Sequence, residues 1–121
     1  MECAGMLTVP AVNAGAAGPE AVASGAVRES MLHRMDLMLA LALSVQAKIL
    51  VLGAWGCGVF RNPPEEMAQM FRSFLVREEG EAGVTGKYAG CFDRVLFPVY
   101  DASKGQPCLV AFQQVLSEGR R

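Results

Sequence analysis

The run Lys48-Ile-Leu-Val-Leu52, closed by Gly53-Ala-Trp-Gly-Cys-Gly-Val-Phe-Arg-Asn62, constrains this chain more than any other feature. Its brevity, the β-branched Ile49 and Val51, and the glycine stop predict a central strand rather than a buried helix segment. Behind the loop a helix start is expected at Pro63. Asn62 has the side chain of an N-cap, proline suits the first helical position, and Glu65 completes a capping-box pattern. Strand, glycine loop and helix in that order put the loop outside the carboxyl end of a strand, where open α/β sheets bind ligands.

The rest of the chain fits the same class. Met6-Leu-Thr-Val9 is a short β-like run stopped by Pro10. From Pro10 to Val27 ten of eighteen residues are Ala or Gly, which predicts a loop with a weak helical turn. Ser30 is placed to cap a helix over 31–46, with Leu32, Met35, Leu39 and Ala42 at the 3.6 period. The helix from Pro63 runs to about Val76 and buries Met67, Met70, Phe71 and Phe74. Residues 77–91 read as a polar loop, 94–100 as a strand, 101–106 as a turn and 107–117 as a last helix. Three strands alternating with three helices imply a parallel sheet covered by helices on both faces. The expected class is α/β, in one domain over 1–121.

Gly53, Gly56 and Gly58 allow positive φ and close backbone approach. The N–H groups of such a loop, beside the positive end of a helix, make an anion site. Phosphate or diphosphate recognition is the chemistry this arrangement favours. A turn that merely packs strand against helix is the competing explanation. Two named phosphate motifs fail: the dinucleotide fingerprint needs glycine where Arg61 stands, and a P-loop needs Gly-Lys before Ser or Thr, whereas Gly86-Lys87 precedes Tyr88.

Composition removes other classes. With 11 basic and 12 acidic residues the formal charge is −1, so no basic stripe offers itself to a phosphate backbone and no direct nucleic-acid binding is expected. Apolar residues at 52% and charged residues at 19% exclude disorder. The longest largely apolar stretch, Leu37 to Val45, falls far short of the ~20 residues of a membrane span. No targeting signal is expected at the N-terminus. Cysteines at 3, 57, 91 and 108 form no C-x-x-C pair, and His33 is the single histidine. Reduced thiols in a cytoplasmic protein, or a nuclear one if the source is eukaryotic, are expected, with no metal and no cofactor. A thiol reaction at Cys57 with His33 as base is conceivable, but a small apolar loop thiol is the commoner case.

Positions 52–62, Leu-Gly-Ala-Trp-Gly-Cys-Gly-Val-Phe-Arg-Asn, resemble the signature loop of the microbial-type poly(ADP-ribose) glycohydrolases, which are macrodomain proteins. Thr8-Val-Pro-Ala-Val-Asn-Ala-Gly15 and Val95-Leu-Phe-Pro-Val-Tyr-Asp101 resemble two further segments of that family, in the right order. The resemblance implies a partial three-layer α/β/α fold that recognises ADP-ribose or its polymer. Gly53, Ala54, Trp55, Gly56, Cys57, Gly58, Val59 and Phe60 would wrap the diphosphate, with Phe60 against ribose. Phe97 or Tyr100 would stack on adenine; a core position is the other reading of Phe97. Trp55 either leans on the ligand or pins the loop. Asn13 either touches ligand or serves a turn, and Arg61 either meets phosphate or stays at the surface.

The family hydrolyses ribose–ribose bonds through a Gly-rich stretch followed by Gln-Glu-Glu, whose glutamate acts as general acid. That element does not occur in this sequence. Glu65-Glu66 opens a helix, where acidic residues favour the dipole. Glu78-Glu79 with Glu81 reads as a solvated face. No catalytic residue is therefore expected in these 121 residues, and the chain alone is expected to be inactive; a noncatalytic ADP-ribose-binding or interaction module and an inactive fragment are the alternatives. The family's catalytic element lies upstream of the segment matched by 8–15, and the family's sheet inserts a strand between those matching 6–9 and 48–52. The chain must therefore rearrange, leave strand edges open, or recruit a partner chain for the other half.

Overall fold

A computed structural model describes residues 4–117; Cys3 lies outside them. Residues 4–13 are irregular, followed by two short helices, α1 (Ala14–Ala17) and α2 (Pro19–Ala23). The strand expected over 6–9 does not form. Among the described residues no strand lies beside it, and the Val9 and Pro10 carbonyls are taken by side chains instead, from Trp55 Nε1 at 2.9 Å and Arg34 at 2.6 Å. The alanine-rich stretch after it is more helical than expected. Asn13 caps α1 by accepting the Ala16 N–H, and Pro19 opens α2.

Helix α3 spans Ala26–Ser44 and starts five residues before the expected point. Gly25, in the left-handed region at φ 81°, precedes it, so Ser30 lies inside the helix and caps nothing. Its C-terminus closes with Gln46 at φ 60° and two bonds, Ala47 N–H to Ala42 O and Gln46 N–H to Leu43 O. This is the Schellman pattern, with glutamine where glycine is usual. The buried stripe is Val27, Met31, Met35, Met38 and Leu39, while Leu41 and Val45 stay exposed.

Strand β1 (Ile49–Val51) leads through the glycine loop into α4 (Pro64–Leu75). The cap is Pro63, one residue beyond the expected Asn62, and no capping box forms. Because Pro63 precedes a second proline, its backbone is forced to stay extended, at φ −61° and ψ 126°. Residues 77–91 hold a small hairpin, β2 (Glu79–Gly80) with β3 (Gly83–Val84), where only a loop was expected. Gly86 fastens it to α4 through its N–H to Ser73 O. A Cβ at Gly86 would lie 2.7 Å from the Arg77 backbone, so no other residue fits there. Strand β4 pairs over Arg94–Leu96 alone; Pro98 then removes a donor. Helix α5 (Pro107–Ser117) completes the described chain.

β1 and β4 are parallel, with Ile49 opposite Arg94, Leu50 opposite Val95 and Val51 opposite Leu96. Leu50 points into a core built on Phe71, Met31, Met35, Leu39 and Met67. Arg72 joins α4 to α5 through the Val115 carbonyl at 2.6 Å. Tyr88, buried although its loop was expected to be polar, donates its hydroxyl to Asp36 of α3, which Lys87 also engages at 2.9 Å. No helix among the described residues is long and apolar enough to cross a membrane.

Candidate functional site

The site grows from the end of β1. Leu52 still donates to Leu96 O at 2.9 Å, and at Gly53 (φ 97°) the chain turns out of the sheet. A Cβ at Gly53 would press on the Pro98 carbonyl at 3.3 Å, so the loop leaves β1 directly beside the end of β4. Gly56, at φ 77°, is enclosed. A Cβ there would lie 2.9 Å from Asn62 Nδ2, 3.0 Å from Ala11 Cβ and 3.1 Å from Met31 Cε. Gly58 has no positive φ, against expectation, and a Cβ there would meet nothing within 4 Å. The loop needs two of its three glycines for shape and leaves the third open.

Asn62 holds the loop closed. It is 3% exposed, and its Nδ2 donates to Gly56 O and Val12 O, both at 2.8 Å. Trp55 pins the opposite side through its indole bond to Val9 O, and Gly15 N–H reaches Phe60 O at 3.3 Å. Segment 8–15, loop 52–62 and the end of β4 therefore meet at one place. Asn62 stood in the sequence as a helix cap. The Asn-Pro-Pro run carries the missed signal, since a residue before proline is held extended and its side chain is free to turn back.

Within the loop, Cys57 N–H donates to Ala54 O. Among the described residues, the N–H groups of Gly53, Ala54, Trp55, Gly56, Gly58, Val59 and Phe60 have no protein acceptor. Gly53 is buried, Ala54, Trp55 and Gly56 are half-buried, and Gly58, Val59 and Phe60 are exposed, so these donors are open to water or to an acceptor-rich ligand. The first turn of α4 adds its positive end, partly countered by the exposed Glu65 and Glu66. The arrangement is suited to oxyanions held by backbone.

The other expected residues separate. Phe97 is half-buried and packs edge-to-face on Phe71, with ring centres 5.1 Å apart, and lies 5.6 Å from Phe112. Part of it lines two open clefts of about 370 and 390 Å³, neither of which includes the loop. Tyr100 is 94% exposed. Val59 and Phe60 are exposed at the loop tip. Asn13 has the capping role, and the Arg61 side chain lies over Gly15. Asp101 accepts N–H bonds from Ser103 and Cys108 that hold its carboxyl below the usual carboxylate range.

Burial, with Cys108 alongside, pushes the Cys57 thiol up to about 12. It stays protonated at neutral pH, which removes the thiol-nucleophile reading. His33 is exposed on α3. Glu78 and Glu79 are tied to Arg72 and Arg77 at the surface. Among the described residues no cluster of side chains could hold a metal ion.

An α/β fold with a glycine loop between a parallel strand and a helix is the class these features define. No family model and no curated protein matches the chain. Solved structures do. The poly(ADP-ribose) glycohydrolase of Thermomonospora curvata is 35% identical over 88% of this chain, with a TM-score of 0.76. The Deinococcus radiodurans enzyme in complex with ADP-ribose is 40% identical over 90%, with a TM-score of 0.74. Its apo form gives 0.73 at the same identity. The chain spans 36% of the first and 41% of the second. It is a partial homologue of the microbial-type poly(ADP-ribose) glycohydrolases.

Proposed function

We propose that this chain carries the diphosphate-recognising part of an ADP-ribose site, within a domain of the poly(ADP-ribose) glycohydrolase type. The observation that carries the reading is the row of open N–H groups over Gly53–Phe60. A diphosphate presents several acceptor oxygens in a short span, which matches a loop of donors better than a single carboxylate does. The ADP-ribose complex of the Deinococcus relative supports the choice of ligand. Phe60 at the loop tip is assigned to the ribose, and Tyr100 or the open part of Phe97 to adenine.

Bond cleavage is assigned to a longer protein. This sequence has no Gly-rich stretch followed by Gln-Glu-Glu, and its glutamates are exposed among the described residues. A general acid needs a positioned carboxyl group with a raised pKa.

The deciding experiment is a thermal melt of the purified chain with and without ADP-ribose, alongside an assay for ADP-ribose released from polymer. A ligand at 100 times its Kd stabilises by about 2.7 kcal/mol, which moves a domain of this size by roughly 10 °C or more. A rise in Tm without release supports the proposal. A cooperative melt that ADP-ribose does not move overturns the binding site, and release by the pure chain overturns the assignment of cleavage elsewhere.

A further inference from the structure

The parallel pair β1–β4 presents a face that a folded protein rarely leaves open. Leu50 and Val95 point toward the helices, so their neighbours point away. Ile49 is 56% exposed, Val51 65% and Leu96 43%. Val51 and Leu96 sit side by side in the register, and with Phe97 and Pro98 they line the cleft of about 390 Å³. Parallel sheets are found almost only with both faces covered, because their strands are apolar on both sides. Here, among the described residues, each strand has one neighbour and helices cover one face.

We infer that this face is an interface for polypeptide equivalent to the larger part of the glycohydrolase fold that this chain does not match, docking as an apolar layer over Ile49, Val51 and Leu96. Two observations select this occupant. The relatives are similar across nearly all of the present chain, yet most of their own length lies outside the match. The exposed side chains also come from paired strands, and interior sheet positions expect an apolar layer rather than a polar or charged partner. A second copy of this chain would bring the same bare face and no covering helix layer. The inference does not depend on what the glycine loop binds.

The test is co-expression of the 121-residue chain with a tagged segment comprising the part of the Deinococcus radiodurans enzyme outside the match. The expected result is a soluble one-to-one complex on size exclusion. The Ile49→Lys/Val51→Lys double variant should reduce the recovered complex about tenfold or more, since each lysine would place a charge in an apolar contact. Both positions are exposed in the free chain, so its helical circular dichroism should not change. The inference is overturned if the wild-type chain is recovered only free or as a dimer of itself. It also fails if the tagged segment stays insoluble beside it, or if the double variant co-purifies as well as the parent.

Discussion

Asn62 and Gly56 are joined twice: the side-chain Nδ2 and the backbone N–H of Asn62 both donate to the Gly56 carbonyl, at 2.8 and 3.1 Å. One carbonyl saturated from one residue fixes the crossing point of the loop. The second Nδ2 bond, to Val12 O, ties that point to the chain's first segment. Asn62→Ala removes the side-chain donor from the Val12 carbonyl, at about 1–3 kcal/mol for a buried group, while the Gly56 carbonyl keeps the backbone N–H of residue 62. Calorimetry should show a lower Tm, and titration with ADP-ribose a weaker Kd. An unchanged Tm would mean that the loop holds its shape without the amide.

Gly56 and Gly58 separate shape from approach. Gly56→Val places a side chain at positive φ against Asn62, Ala11 and Met31, and should abolish ADP-ribose binding while lowering stability. Gly58→Ala meets open space and should leave stability within about 0.5 kcal/mol of the parent, with Tm little changed. Loss of binding in Gly58→Ala with Tm preserved would locate the ligand against that residue. Full binding by Gly56→Val would sink the diphosphate assignment.

The aromatics can be sorted by a pair of ligands. Tyr100→Ala removes an exposed ring and should not move Tm, whereas Phe97→Ala opens the Phe71–Phe97–Phe112 cluster and should lower Tm. The cost stays below the about 3–5 kcal/mol of a fully buried phenylalanine because Phe97 is half-buried. Whichever ring stacks on adenine should, when removed, weaken ADP-ribose more than ribose 5-phosphate. Equal losses for both ligands in both variants would put the adenine contact elsewhere.

Acid sensitivity should trace in part to Asp36. The Tyr88 hydroxyl, then Lys87, hold its carboxyl below the usual carboxylate range. A folded-state pKa below the unfolded value of about 3.9 means that the carboxylate stabilises the fold above that value. The contribution is lost as pH falls through the folded pKa. Tm should therefore decline as pH drops from about 5 toward 3. Asp36→Asn should melt lower at neutral pH and show a shallower decline, with Asp101 retaining its own share. An identical slope in the variant would assign the acid limb to other groups.

Thiol chemistry gives an independent check on the loop. With its pKa pushed up to about 12, Cys57 should react with iodoacetamide far more slowly at neutral pH than the exposed Cys91. Peptide mapping after a timed pulse would show this. Faster labelling of Cys57 would mean that the loop opens in solution.

The parts of the fold legible in the sequence were those set by local chemistry. Ile49 and Val51 mark β1, the Met67–Phe71 pattern marks α4, whose expected start at Pro63 is one residue early, and 107–117 marks α5 with its bounds intact. The errors arose where distant partners decide. Met6–Val9 has the composition of a strand, but pairing needs a neighbour, and the donors that reach its carbonyls come from Trp55 and Arg34. Asn62 has the composition of a cap, yet two distant carbonyls claim its amide. Tyr88 sat in a polar stretch and is buried because Asp36, 52 residues earlier, accepts its hydroxyl. The loop itself was legible because glycine spacing is local information. Its closure was not, because that depends on residues 9 to 15.

The bonds from Trp55 to Val9 and from Asn62 to Val12 close separations of 46 and 50 residues. During synthesis, segment 8–15 therefore emerges long before the indole and amide that hold it exist, and in the interval residues 8–13 have no ladder or helix of their own. Contacts of such sequence separation form late, after their loop-closure entropy has been met by the helical core. Loop 53–62 is thus expected to be the last part of this chain to acquire its shape, since a nascent chain stalled before Trp55 lacks both the indole and the amide that hold segment 8–15.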